Sequence, residues 1–253
     1  MLTIERLIIS QGHRQILQLP QAGLSAGEFV AVLGPNGAGK SSLLKVLCGE
    51  WSANQGSIHL HNKNITAWPR QLLAKHLGVL PQASQLSFPF QAKEVVAIGA
   101  TPLSLTRRAI DDAIRHWMQA TDTWQFADRL YTSLSGGEKQ RVQLARVLLQ
   151  LSQAEDEPLL LLDEPTSAQD LGQQHQLLNL IKSLCQQYNF AVISILHDLN
   201  QASRYADNVW ILHQGQLFAQ GSPQQVLQPD TVMKVWGYQP ERLVNSRGQQ
   251  ILV

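Results

Sequence analysis

Gly34-Pro35-Asn36-Gly37-Ala38-Gly39-Lys40-Ser41 reads G-x-x-x-x-G-K-S. An apolar run, Phe29-Val30-Ala31-Val32-Leu33, precedes it, and the helical pattern Ser42-Leu43-Leu44-Lys45-Val46-Leu47 follows. Strand, glycine loop and helix in that order are the context a phosphate-binding loop requires. Its glycines let the backbone turn tightly and aim N–H groups at phosphate oxygens. The helix start adds partial positive charge. Gly34 to Ser41, with Ser42 next along, are therefore the candidate nucleotide-binding residues. Lys40 is placed to reach the β- and γ-phosphates, and Ser41 to offer a hydroxyl to magnesium.

Working outward, strands alternate with helices. Residues 2–9 read as a strand with loose alternation, as do 15–19, 56–60 and 77–80, the last ended by Pro81. Helical periodicity marks 68–76, 91–99, 107–120, 136–151 and 171–188. Residues 158–163 and 190–196 are short apolar runs of the kind that form buried strands. Residues 209–213 and 216–219 flank Gln214-Gly215, a hairpin signal, and 223–236 looks helical. This alternation predicts a mostly parallel sheet with phosphate at the carboxyl ends of its strands. The expected organisation is one α/β domain over 1–253. Its core is 1–81 and 158–253, and 82–157 is an inserted helical subdomain.

Two further stretches carry chemistry. Leu159-Leu160-Leu161-Leu162-Asp163-Glu164 is an apolar run ending in two carboxylates. In a phosphate-loop nucleotidase one carboxylate holds magnesium and another orients the attacking water, roles suited to Asp163 and Glu164. Leu134-Ser135-Gly136-Gly137-Glu138 has an N-capping serine followed by two glycines. It predicts a second anion site at a helix start. One nucleotide does not need two such sites, but two chains facing each other could share two nucleotides.

The chain is 253 residues long, with 44% hydrophobic content, enough for a sizeable core. A net charge of +1 makes no case for nucleic acid. Cys48 and Cys185 fit no metal or redox spacing and read as small, reduced core residues. Met1-Leu2-Thr3-Ile4-Glu5-Arg6 acquires charge at once, unlike a secretory leader. No apolar run approaches the roughly 18 residues of a membrane span. The composition thus predicts a cytoplasmic protein that a partner holds at any membrane it serves.

These three motifs, in this order and spacing, resemble the ATP-binding subunits of ABC transporters. The resemblance spans essentially the whole chain. It implies a P-loop NTPase (RecA-like) ABC ATPase core with an all-helical insertion, using ATP and Mg2+. On it, Gln82 after Pro81 matches the family's Q-loop glutamine, a magnesium sensor linked to the membrane partner. Ser167-Ala168-Gln169-Asp170 resembles the D-loop, with Gln169 where leucine is usual. His197, 33 residues after Glu164, matches the switch histidine on the γ-phosphate. The resemblance implies catalytic roles for Lys40, Glu164 and His197, and magnesium contacts for Ser41, Gln82 and Asp163. It also implies that Ser135, Gly136 and Gly137 contact the partner copy's nucleotide. The family stacks adenine on an aromatic residue where this chain has Gln11, so His13, two residues on, is the candidate replacement.

Finer likeness points to haem (hemin) importers, within the group that also imports ferric siderophores and cobalamin. It rests on Val79-Leu80-Pro81-Gln82, Leu86-Ser87-Phe88-Pro89-Phe90, Glu94-Val95-Val96 and the long segment between Leu151 and Leu159. The implied partners are a second copy in an ATP-dependent homodimer, two transmembrane permease subunits and, through them, a periplasmic substrate-binding protein. The implied location is the cytoplasmic face of the inner membrane, as a peripheral subunit. Phe88 and Phe90 are candidates to line a cleft for a permease helix. No histidine pair is set for haem, so the cargo is expected to touch the permease instead.

Overall fold

A computed structural model describes residues 1–82, 88–167, 169–244 and 250–253. In chain order the elements are β1 (Leu2–Gln11), β2 (Arg14–Leu24), β3 (Phe29–Leu33), α1 (Lys40–Leu47), β4 (Gln55–Leu60), β5 (Lys63–Asn64), α2 (Arg70–His76) and β6 (Leu77–Leu80). Then come α3 (Ala92–Ala97), α4 (Arg107–Ala120), α5 (Gly136–Leu151), β7 (Leu159–Leu162), α6 (Leu171–Tyr188), β8 (Ala191–Ile195) and α7 (Leu199–Tyr205). The chain closes with β9 (Asn208–His213), β10 (Gln216–Gly221), α8 (Pro223–Val226), α9 (Pro229–Trp236), β11 (Arg242–Val244) and β12 (Gln250–Leu252). Two compact units result: Met1–Ala67 with Ala191–Val253, and Trp68–Phe190.

In the first unit the strand order is β5-β4-β1-β2-β10-β9-β3-β8. The strands β5, β4, β1 and β2 pair antiparallel, as do β10 and β9. Only β2–β10, β9–β3 and β3–β8 are parallel. This corrects the expectation of a mostly parallel sheet: two-residue turns at Gly12-His13 and Gln214-Gly215 fold neighbouring strands back as hairpins. The loose alternation of residues 2–9 has a local cause. Arg6 takes a φ of 47° and the β1–β4 register shifts there, so buried Leu2 and Ile4 are followed by buried Leu7 and Ile9. β3 lies between β9 and β8 and is wholly buried, which its unbroken apolar sequence requires.

In the second unit β6 pairs parallel with β7, and α5 packs on α2, α3, α4 and β6. Ile114, Trp117 and Met118 form the buried face of α4, the i, i+3, i+4 spacing of an amphipathic helix. Thr106 caps that helix by accepting from Ala109 N–H. Eight residues of α5 are buried, from Val142 to Leu151, with Gln143 the one polar member. Its amide donates to the Tyr131 hydroxyl at 3.1 Å and accepts from Arg146 Nε at 2.7 Å. A buried Leu contributes about 2 kcal/mol, so this face dominates the helix's stability.

The expected 171–188 and 136–151 helices have the predicted bounds, whereas 91–99 is α3 followed by a 3₁₀ turn at Ile98–Ala100. The tail is two helices rather than one, because Leu227 leaves the helical region before Pro229 restarts it. Neither cysteine forms a disulfide, but only Cys185 is buried; Cys48 is half-buried at the end of α1, correcting its assignment to the core.

Candidate functional site

The first unit carries the phosphate loop between β3 and α1. Gly34 is buried with a φ of 151°, and a Cβ there would lie 2.2 Å from the Leu212 carbonyl oxygen. Only glycine fits that approach. Gly39, at φ 102°, starts α1, and Ile16 and Leu17 of β2 lie directly against it. Lys40 is buried, and its ammonium donates to Gly34 O at 2.8 Å and Pro35 O at 3.0 Å. Asn36, Gly37 and Ser41 are exposed, Pro35 and Ser42 half-buried, Ala38 buried. The loop is thus a rigid frame with an exposed mouth and a cation held at its base.

Parallel pairing of β3 with β8 brings a second residue to this frame. Val32 is in register with Ile195, and Leu196 N–H donates to Val32 O at 3.2 Å. The chains leave the sheet side by side, one as Gly34, the other as exposed His197. Asp198 then caps α7, accepting from Asn200 N–H at 2.7 Å and Gln201 N–H at 3.2 Å. His13 lies exposed in the β1–β2 turn, four residues before Leu17. Unit one therefore gathers Gly34 to Ser42 and His197 at neighbouring strand ends.

The second unit gathers the carboxylates. β6 and β7 run parallel with Leu80 opposite Leu162, and Asp163 N–H donates to Leu80 O at 3.0 Å. Just beyond, Gln82 Nε2 donates to Glu164 Oε2 at 2.7 Å. Glu164 has a φ of 48°, left-handed for a non-glycine residue. That costs about 1 kcal/mol, and Ser167 N–H, donating to Glu164 O at 3.1 Å, closes the turn that holds it. The turn directs the Glu164 carboxylate at Gln82. Nothing in the sequence announces this bond, because the two residues are 82 positions apart.

Ser135 to Gly137 open α5 as predicted. The Ser135 hydroxyl accepts from Glu138 N–H at 3.3 Å, and Glu138 Oε2 accepts from Ser135 N–H at 2.7 Å, a capping box. That backbone bond is the main cause holding the Glu138 carboxyl below its ordinary range. A cleft of about 230 Å³ opens here, lined by Ser135, Gly137, Arg141, Gln169 and Gln173. Gln169 and Asp170 of the expected D-loop border it or cap α6, while Ala168 lies outside the described residues, as do Leu86 and Ser87. Phe88 and Phe90 are both exposed, their ring centroids 6.2 Å apart. No helix among the described residues is long and apolar enough to cross a membrane.

The chain is 49% identical over 238 residues to the hemin import ATP-binding protein HmuV of Shewanella denitrificans, covering 94% of each chain. It is 49% identical to HmuV of Vibrio cholerae, covering 92% of this chain and 90% of that one. Among solved structures it superposes on an ABC transporter of metal-chelate type in an inward-facing conformation, with a TM-score of 0.83, 26% identity and coverage of 100% and 96%. It also superposes on cbiO1 of Clostridium perfringens, part of the transporter complex cbiONQ, with a TM-score of 0.82, 27% identity and 92% coverage of each chain. Residues 17–167 match the ABC transporter family, and the chain, a P-loop α/β protein by its fold, belongs to it.

Proposed function

We propose that this chain is the ATP-hydrolysing subunit of an ABC importer for haem (hemin). The observation that carries the cargo is the 49% identity to hemin import ATP-binding proteins along 94% of both chains. The chemistry rests on the site residues. Backbone N–H groups of the loop from Gly37 to Ser42, other than that of Ala38, and the Lys40 ammonium bind phosphate, the ammonium exchanging the Gly34 and Pro35 carbonyls for phosphate oxygens. His197 donates a hydrogen bond to the γ-phosphate. Glu164 Oε2 orients the attacking water and takes its proton, while the Gln82 amide bonded to that oxygen keeps the carboxylate aimed.

The donor set fits magnesium. Ser41 offers a hydroxyl, Asp163 a carboxylate and Gln82 an amide oxygen, all hard oxygen ligands. The metal supplies charge neutralisation at the phosphates when bound. Ser135, Gly136 and Gly137 complete the site of a second copy, giving an ATP-dependent homodimer with two-fold symmetry. Two permease subunits hold the dimer at the cytoplasmic face of the inner membrane, with the exposed Phe88 and Phe90 as apolar anchors, and a periplasmic binding protein delivers cargo to them.

The likeness to a metal-chelate type transporter favours a second reading, import of another iron chelate or of cobalamin. Vesicles holding this chain and its permease, with the periplasmic binding protein supplied on the opposite face, decide between them. With ATP inside the compartment facing this subunit, haem uptake is expected and uptake of ferric siderophore and cobalamin is not. Uptake of either of those without haem overturns the cargo and leaves the importer; no ATP-driven uptake of any overturns both.

A further inference from the structure

Asn200 stands at the start of α7, three residues after His197, and binds in two directions. Its N–H donates to the capping carboxylate of Asp198 at 2.7 Å. Its side-chain amide behaves as one more strand residue against β12: Nδ2 donates to Leu252 O at 2.9 Å, and Oδ1 accepts from Leu252 N–H at 2.9 Å. β12 is itself fixed. It pairs antiparallel with β11, and Glu241 and Val253 exchange two backbone bonds of 2.8 and 3.0 Å beyond that pairing. Arg242 donates to Gln228 Oε1 at 3.1 Å, tying the hairpin to the residue before α9. Leu252 is buried, whereas Leu243 and Val244 of β11 are exposed.

Around these bonds α7 buries Gln201, Ala202 and Tyr205 and packs on β3, α8 and β12. Apolar contacts such as those of Ala202 resist separation but tolerate a rotation or slide about the helix axis. The paired bonds to Leu252 are directional, so they add a constraint on the helix angle that apolar packing does not supply. His197 and Asp198 form the short link between β8 and α7, with β8 fixed by its register on β3. Any rotation of α7 therefore turns the His197 backbone.

We infer that Asn200 is a positioning residue for His197, and that β12 splints it through the Asn200–Leu252 pair. This rests on the γ-phosphate role given to His197 above. Six chains test it by steady-state ATP hydrolysis when assembled with the permease: Asn200→Ala, deletion of residues 250–253, the two combined, Asn200→Asp, His197→Ala, and His197→Ala with Asn200→Ala. Each of the first two is expected to lower kcat about fivefold with KM for ATP within about twofold, and their combination to lower it no further. Asn200→Asp keeps an acceptor for Leu252 N–H and is expected to lie between Asn200→Ala and the parent. In a His197→Ala background, Asn200→Ala is expected to cost nothing more, which a merely stabilising residue would not show.

Additive losses, or a fall confined to KM, overturn the inference. A loss in His197→Ala beside unchanged kcat in Asn200→Ala overturns it alone. Unchanged kcat in His197→Ala overturns the γ-phosphate role and this inference with it.

Discussion

At Gly34 an added Cβ would lie 2.2 Å from the Leu212 carbonyl oxygen, while at Gly136 it would meet nothing within 4 Å among the described residues. Both glycines belong to stretches proposed to bind phosphate, yet only the first is demanded by its own chain. Gly34 has left-handed backbone and a neighbour too close for any side chain. Gly136 has ordinary helical backbone at the first turn of α5. Gly137 meets one flexible group, Gln173 Oε1, at 2.7 Å from its built Cβ. A glycine that the fold does not need is explained by what approaches from outside. Under the proposed dimer, that is the partner's triphosphate.

The largest expected effect breaks or upholds the shared-site half of this contrast. Glu164→Gln keeps shape and hydrogen bonding but removes the carboxylate that takes the proton. Hydrolysis is expected to fall on the order of 10²- to 10⁴-fold. ATP should then accumulate a dimer visible by size exclusion, which disappears without nucleotide. A monomer in both conditions, with near-normal hydrolysis, would remove the external partner that the Gly136 argument needs.

Next in size is Gly34→Ala, which tests the internal half. Leu212 O is backbone in a buried strand and cannot swing aside. The clash and the left-handed φ together should cost about 3 kcal/mol. For a chain of this size that lowers the thermal midpoint by about 6–12 °C, by calorimetry without nucleotide. An unchanged midpoint would show that the loop relaxes, and the two glycines would no longer differ in kind.

The same contrast explains what the sequence could reveal. The phosphate loop was legible because local backbone geometry dictates its residues one by one. So were α4, α5 and α6, whose long apolar periodicity depends on no particular partner. Sheet pairing was not. Residues 2–9 and 14–24 read as strands, but nothing in them says that they pair with each other and with β4 rather than extending a parallel sheet. α7 escaped notice because Leu199-Asn200-Gln201-Ala202-Ser203-Arg204-Tyr205 has barely two turns and only a short apolar face. Gln82–Glu164 and Asn200–Leu252 are bonds between amides, carboxylate and backbone far apart in the chain, and side-chain type alone does not predict such partners.

A smaller effect concerns the base, which neither helix start reads. Backbone N–H groups recognise phosphate and ignore adenine. His13 sits exposed on the turn leading into β2, whose Ile16 and Leu17 touch Gly39. Stacking of one ring is worth about 1 kcal/mol. His13→Ala should therefore raise KM for ATP about fivefold with kcat unchanged, and GTP should be affected less than ATP. An unchanged KM would leave adenine recognition to another group.

The smallest expected change in the chain itself is Gly136→Ala, and it discriminates best. The helical φ accepts alanine, open space surrounds the new methyl, and the unfolded chain loses freedom. Stability should rise by about 0.4–1 kcal/mol, a shift of one to four degrees that calorimetry resolves. Binding of ATP to the phosphate loop should be untouched, because that loop belongs to the other unit and needs no help from α5. In the Glu164→Gln background, however, the methyl would stand where the partner's phosphate must approach the α5 start. The ATP-dependent dimer should then weaken while the monomer becomes more stable. A fall in both would mean that Gly136 serves the fold after all. A dimer of undiminished stability would mean that nothing comes close to this glycine, and the two helix starts would have to be explained separately.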